Sequence, residues 1–289
     1  MNRYGIIGKP LGHSYSEGYF TELFAREGID AQYKPYPIDH IEEVRELLEQ
    51  LDGFNVTYPY KEAILPYLSD IDKVAKAIGA VNVVHQGKGY NTDWIGFRDS
   101  IAPLIRKGER ALLLGTGGVS KAIQYAMREM GVAYSVVSRQ RSCSLEDASL
   151  QVRERSQGEL QNGSKAAYSL EVRGEGTPQS LCDSSPINKG AKRGDEVMRR
   201  LGYDEVDEQV MREHRIIVNC TPLGMQPYEN EMPDIPYHYL SKEHLLYDCI
   251  YNPERTLFLQ EGEKMGCQVK NGLEMLHRQA DEACLVFRV

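Results

Sequence analysis

No stretch of this 289-residue chain holds eighteen apolar residues in a row, so a membrane-spanning helix, which needs about that many, is not expected. The apolar patch in MNRYGIIGKPLGHS is interrupted by Lys9 and Pro10 too soon for a secretory leader. Basic residues are too few for a nucleic-acid or polybasic membrane surface. Thirty-four Lys and Arg stand against 42 Asp and Glu, a net charge of −8. A local positive pocket remains compatible with that balance. Paired cysteines are missing too. Cys143, Cys182, Cys220, Cys249, Cys267 and Cys284 are scattered without CxxC or CxxxC spacing, and the seven histidines show no ligand pattern. Reduced thiols in a cytoplasmic protein are therefore expected, with neither a metal site nor a disulfide framework. No internal repeat at a fixed period is visible.

What is present alternates between two periods. RYGIIG (3–8), AQYKPYPI (31–38) and GFNVTY (53–58) read as strands. Between them, Tyr19, Phe20, Leu23 and Phe24 share one helical face before Gly28, and HIEEVRELLEQL (40–51) is amphipathic. YKEAILPYL is expected to open another helix at Lys61, and VNVVHQGKGYNTD to form a hairpin around residues 87–89. Strands alternating with helices predict an α/β fold with a mainly parallel sheet. At ~150 residues per domain the length allows about two domains.

The pattern restarts after 104. ALLLGTGG (111–118), SKAIQYAMREMG (120–131) and AYSVVS (133–138) make a strand, a glycine turn, a helix and a second strand, in the ~30 residues such a unit takes. Residues 140–200 break the style. They are rich in Ser, Gln, Gly, Arg and Glu with a single aromatic, Tyr168, and such a stretch buries too little apolar surface to offset its ordering entropy. A solvated insertion over 142–200 is expected, with a small ordered subdomain as the alternative. RIIVNC, LLYDCI and TLFLQEGEKMG then resume regular structure, and CQVKNGLEMLHRQADEACLVF closes the chain with a strand, a turn and a helix.

The glycine turn GTGGVSKA has the context of a dinucleotide site. Gly115 permits the tight turn, and Gly117 lets backbone N–H groups approach a pyrophosphate at the helix N-terminus. The third glycine is replaced by small residues, Ser120 or Ala122. At the end of the next strand NAD-selective units place an acid for the ribose hydroxyl. This chain has Ser138, Arg139 and Arg141 instead. A guanidinium pairs with a 2′-phosphate and a carboxylate would repel it, which favours NADP; a solvated surface arginine is the plainer alternative for Arg139.

Short polar residues gather at element ends in the first half. Ser14 and Ser16 precede a helix, where they could seat a small carboxylate or simply cap the helix. NVTYPYK offers Asn55, Thr57 and Lys61 in and after the third strand; Asn82, then Asn91, Thr92 and Asp93, flank the hairpin. Open α/β sheets place ligands at such strand ends.

The ordered series GKPLGHSYS, GFNVTYPYKEA, GAVNVV, YNTDWIGF, LLLGTGGVSKA, VNCTPLGM and NGLEMLHRQA closely resembles the shikimate dehydrogenase family. The likeness spans 1 to about 139 and about 203 to 289. It implies NADPH-dependent reduction of 3-dehydroshikimate, a substrate domain over 1–98 completed by a closing helix in 270–289, and a Rossmann domain over 99–269. It implies that Ser14, Ser16 and Thr57 hold the substrate carboxylate. Asn82 with Lys61 and Asp93 would hold ring hydroxyls, with Tyr251 and Gln279 nearby, and Lys61 and Asp93 would carry the proton chemistry. Gly115, Gly117, Gly118, Ser138 and Arg139 match the cofactor positions, with Thr221, Gly224 and Met275 along the nicotinamide side. Hydride delivery to a carbonyl creates an alkoxide, which a cation beside a carboxylate can stabilise and protonate. The plainer role for Lys61 is an ion pair tying two segments together, and for Asp93 the capping of a helix.

Two features depart from the family: the run 142–200, and Glu274 where a small residue is usual. A quinate/shikimate dehydrogenase preferring NAD is the nearest alternative, and a non-catalytic nucleotide-binding relative a more distant one. A small-molecule substrate is expected, without a nucleic-acid or membrane partner, in a monomer or homodimer.

Overall fold

The computed structural model describes residues 1–9, 11, 15–139 and 197–288. Ser14 and Arg141, and residues 142–196 of the insertion expected over 142–200, lie outside the described residues.

The first sheet contains β1 (Asn2–Gly8), β2 (Ala31–Pro37), β3 (Gly53–Val56), β4 (Asp70–Ile71), β5 (Val83–His85) and β6 (Lys88–Tyr90), in the order β2-β1-β3-β5-β6-β4. Only β5 runs against its neighbours β3 and β6. It does so because a two-residue turn at Gln86 (φ 50°) and Gly87 (φ 74°) folds it back on β6, the backbone a tight hairpin requires. Pro35 sits in the edge strand β2, where a missing N–H breaks no ladder. Helices α1 (Tyr15–Glu27), α2 (Val44–Gln50) and α3 (Lys73–Ile78) belong to this half. Alternation along β1 divides the core. Tyr4 and Ile6 pack with Phe20 and Phe24 of α1, whereas Ile7 packs with Val44 and Leu47 of α2.

The second sheet is parallel throughout: β7 (Arg110–Leu114), β8 (Ala133–Ser138), β9 (Val197–Gly202), β10 (Ile216–Asn219), β11 (Leu245–Asp248) and β12 (Gln268–Lys270). Its order, β12-β11-β10-β7-β8-β9, is 3-2-1-4-5-6 when β7 counts as the first strand, the doubly wound arrangement that binds dinucleotides. Layers cover both faces, so its central strands are apolar runs rather than alternating ones. Leu112 and Leu114 face Phe258 and Leu259, and Ala111 and Leu113 face Ile123, Ala126 and Met127.

Helices α4 (Asp93–Ile101), α5 (Gly118–Glu129), α6 (Glu208–Glu213), α7 (Leu257–Lys264) and α8 (Leu273–Phe287) complete the set among the described residues. The closing helix α8 serves both cores: Met275 joins that of the second sheet, while Ala280, Ala283 and Phe287 join that of the first. It lies so close to α4 that a Cβ on Gly96 would stand 2.6 Å from the Met275 carbonyl.

Three expectations are corrected. No α-helix starts at Lys61; residues 61–64 form turns and only Leu65–Tyr67 a short 3-10 helix, because Pro66 falls where a helix would have to continue. Residues 197–200, expected to belong to the insertion, are strand. Arg199 and Arg200 are exposed, and Arg200 pairs with Val136 by backbone at the edge of the sheet, which composition does not reveal. LGYDEVDEQVM (201–211), whose acidic and apolar residues together predict a helix, opens instead with the end of β9 and a short 3-10 turn, leaving only Glu208–Glu213 as α-helix.

Candidate active site

Lys61 follows β3 on a turn pinned at two points: the Tyr60 N–H donates to the Thr57 carbonyl (2.9 Å), and the Lys61 carbonyl accepts from the Val81 N–H (2.8 Å). Asp93 is the first residue of α4. The two side chains meet with Lys61 Nζ 2.6 Å from Asp93 Oδ2, only 14% and 6% exposed. A pair so withdrawn from water contributes little net stability, since desolvation offsets most of its attraction.

The second carboxylate oxygen is held as well. Asn82 Nδ2 donates to Asp93 Oδ1 (2.9 Å), and lies 3.0 Å from Thr92 Oγ1 and 3.2 Å from Gln279 Oε1. Asn82 Oδ1 accepts from the Thr92 N–H (2.7 Å), and Thr92 Oγ1 donates to the Gln279 carbonyl (3.0 Å). The structure thus brings Lys61, Asn82, Asp93 and Gln279 together from four segments, with Thr92 at the centre.

Other expected residues fall around this cluster. Ser16 is buried in α1 close to Tyr33, whose own hydroxyl burial pushes well above its ordinary range. Tyr33 in turn donates to Asn55 Oδ1 (2.7 Å). Thr57 is half-buried beside Gly8, where an added Cβ would come within 2.4 Å of Thr57 Cγ2. Tyr251 is half-buried with its ring edge-on to Tyr15, 6.0 Å between centroids.

The glycine turn abuts the lysine directly. Gly115 adopts φ +108° and lies against Thr221; Gly117 precedes α5, and a Cβ there would meet nothing within 4 Å. Gly118 opens α5, and a Cβ on it would stand 3.1 Å from Lys61 Cβ. Both small residues expected in place of the missing glycine take part: Ser120 Oγ donates to the Gly115 carbonyl (2.6 Å), and Ala122 packs with Ile78 and Ala80. Lys121 adds a bond to Glu62 (2.7 Å). Ser138 ends β8, and Arg139, exposed, lies near enough to Tyr203 to temper the burial that pushes that hydroxyl up to about 12.

Thr221 follows β10 and bonds Asn219 Oδ1 through both its N–H (3.0 Å) and its hydroxyl (2.7 Å). Gly224 turns at φ +110° against Thr256. Met275, by contrast, is 6% exposed and belongs to the apolar core. Glu274 finds its partners on its own side of the chain: Lys270 and Arg278, one turn to either side, hydrogen-bond it and hold its carboxyl below the usual range.

Asn219 and Asp248, which end β10 and β11, are not among the residues the sequence reading singles out. The available signal is a polar residue closing an apolar strand run, IIVN and LLYD. Asp248 is fully buried and accepts from Asn219 Nδ2 (3.1 Å), the Ile250 N–H (3.0 Å) and Thr256 Oγ1 (2.6 Å). Burial nevertheless pushes its carboxyl up to about 6 from 3.8. The native state therefore holds this proton more tightly than the unfolded chain. The resulting stability is fully present below the unfolded value and is lost as pH rises through the native one, about 3 kcal/mol in all at ~1.4 kcal/mol per unit. Denaturant unfolding of wild type and Asp248→Asn is expected to show wild type losing about that much relative to the variant between pH 4 and pH 7. An offset that does not change with pH would refute it.

Among the described residues no helix is long and apolar enough to cross a membrane, and no group of three or more His, Cys, Asp or Glu could hold a metal ion.

Comparison with known proteins finds a likeness along almost the whole chain. Residues 6–84 match the family model described as shikimate dehydrogenase substrate binding domain. The NADP(+) shikimate dehydrogenase of Caldicellulosiruptor saccharolyticus is 31% identical, over 98% of this chain and 91% of its own. That of Bacillus cereus strain B4264 is 34% identical, over 94% and 87%. The solved shikimate 5-dehydrogenase of Thermus thermophilus, in complex with NADP(H) and shikimate, superposes with a TM-score of 0.70 at 26% identity, covering 99% of this chain and 93% of its own. With a buried lysine–aspartate pair against the turn that opens a 3-2-1-4-5-6 sheet, and relatives of this likeness along almost its whole length, the chain belongs to the shikimate dehydrogenase family.

Proposed function

We propose that this chain is an NADP-dependent shikimate dehydrogenase, reducing 3-dehydroshikimate to shikimate reversibly in the pathway to chorismate and the aromatic amino acids. The observation that carries the reading is the 2.6 Å Lys61–Asp93 pair, packed through the lysine stem on the first residue of the dinucleotide helix.

The residues present fit a bound nucleotide. Open space lies where a Gly117 side chain would point, at the start of a 12-residue helix, and Gly115 takes the left-handed turn that precedes it. Gly115, Gly117 and Gly118 would hold the pyrophosphate, Ser138 and Arg139 the 2′-phosphate, and Thr221 and Gly224 the nicotinamide end, with Met275 packed beneath as an apolar floor. When bound, NADPH supplies the hydride.

The chain supplies the rest. Ser14, Ser16 and Thr57 would orient the substrate by its carboxylate, with Tyr251 beside them. Asn82 and Gln279 would fix the ring hydroxyls, and so aim the carbonyl at Lys61. As negative charge develops on that oxygen, the Lys61 ammonium stabilises it and passes it a proton from Nζ; in the reverse direction the neutral Lys61 amine takes that proton back from the substrate hydroxyl, and Asp93 holds the side chain in place throughout. In this reading 1–98 and 270–289 form the substrate domain and 99–269 the nucleotide domain. The net charge of −8 fits a cytoplasmic enzyme of a small molecule without a nucleic-acid partner.

Arg139 favours this over a quinate-oxidising, NAD-preferring enzyme. Reduced-nicotinamide absorbance, followed with shikimate or quinate and NADP⁺ or NAD⁺ in all four combinations, is expected to rise fastest with shikimate and NADP⁺. Faster reaction with quinate and NAD⁺ would favour the other reading, and silence in all four would leave only a binding protein.

A further inference from the structure

We infer that Asp248 is a positioning residue: one buried carboxylate sets the shape of both turns that follow β10 and β11. The assignment rests on the dehydrogenase reading above.

Asp248 touches neither expected ligand. It works through three donors that belong to three different segments. Asn219, held at 3.1 Å through Nδ2, leaves its Oδ1 free to accept from both the N–H and the hydroxyl of Thr221, and its Nδ2 also lies 3.1 Å from the Leu223 carbonyl. The Thr221 hydroxyl then accepts from the Leu223 N–H (3.2 Å). These side-chain contacts across residues 219–223 all lead back to Asn219, whose amide is oriented by Asp248: an oxygen facing Asp248 would be repelled, so the NH₂ must face it and the oxygen must face Thr221.

The second donor is the Ile250 N–H, at 3.0 Å, which fixes the chain one residue before Tyr251. The third is Thr256, at 2.6 Å, the N-cap of α7, on which Gly224 packs so closely that an added Cβ would stand 3.1 Å from Thr256 Cβ. The carboxylate therefore ties the turn carrying Thr221 and Gly224 to the turn carrying Tyr251. A carboxylate is suited to this because each of its oxygens can accept more than one bond.

A misplacement of about 1 Å at a reacting centre can cost ~10²-fold in rate. Asp248→Ala is accordingly expected to lower kcat by ~30-fold or more while the shikimate KM changes by less than about fivefold, since the Lys61–Asn82–Asp93 cluster does not touch Asp248. Amide hydrogen exchange in peptides covering 219–224 and 250–251 should accelerate about tenfold or more, with exchange in α1 and β1 unchanged. Asp248→Asn, which keeps an acceptor for Asn219 and Ile250, should return kcat to within about threefold of wild type.

If Asp248→Ala does not fold, Asn219→Ala reads the same relay and should show the same fall in kcat. For whichever variant folds, kcat within twofold of wild type with unchanged local exchange would overturn the assignment. So would exchange that accelerates evenly over the whole chain, or a failure of Asp248→Asn to restore turnover, either of which marks a general structural role. Wild-type enzyme that forms no NADPH from shikimate sinks the dehydrogenase reading first and this one with it, so the two failures are told apart by the wild-type trace.

Discussion

Turnover of the Lys61→Ala enzyme is expected to fall at least ~10²-fold, the low end of what a positioned acid or base contributes. A control is needed, because Lys61 is half of a buried pair. Removing one member leaves Asp93, 6% exposed, without its cation, and stranding a buried charge destabilises by several kcal/mol. Loss of rate could then be loss of fold. Lys61→Arg separates the two. A guanidinium keeps the charge beside Asp93, yet it holds its protons far too tightly to give one to an alkoxide, and its planar fork does not occupy the ammonium position. Stopped-flow or steady-state turnover, normalised to protein shown folded by circular dichroism, should fall at least ~10²-fold in both variants, with near-normal unfolding temperature in Lys61→Arg. Turnover within a few-fold of wild type in a folded Lys61→Arg enzyme would leave the pair a structural tie and no more.

Arg139→Asp should invert the preference for cofactor. Arg139 follows β8, the second strand of the doubly wound sheet, and is exposed, where a phosphate could reach it. A charged hydrogen bond is worth about 1.5–3 kcal/mol, and a carboxylate in its place adds repulsion. Together these predict a fall of about 10²-fold in kcat/KM for NADP⁺, at ~1.4 kcal/mol per tenfold. The value for NAD⁺, which lacks the phosphate, should stay within a few-fold. Equal losses with both cofactors would show that Arg139 supports the fold of the turn instead of reading the phosphate.

Much of this site is legible in the sequence, for a physical reason. Positive-φ glycines, apolar strand runs and polar residues at strand ends each leave a local mark, so the turn at Gly115 and the cluster of Lys61, Asn82 and Asp93 can be named from spacing and likeness. What fails is local too. Lys61 reads as a cation at a helix start, but Pro66 prevents that helix, and the residue sits in a turn held by Val81 instead. β9 escapes notice because an edge strand is specified by its neighbour's backbone, and its Arg199 and Arg200 face water. Asp248 and Asn219 are easily passed over because their meaning lies in one another. They are 29 positions apart, and only the register of β10 on β11 makes them partners.

The side-chain amide of Asn82 has two hydrogens to give, and it faces three oxygens at 2.9, 3.0 and 3.2 Å. Two protons are thus shared among three acceptors, and Gln279 Oε1, at the longest of the three separations and 3.4 Å from the Thr92 hydroxyl, is the least well served. A guest that arrives with a hydroxyl to donate there has nothing to displace. In the dehydrogenase reading, an analogue lacking that hydroxyl would leave the oxygen with its weakest partner only.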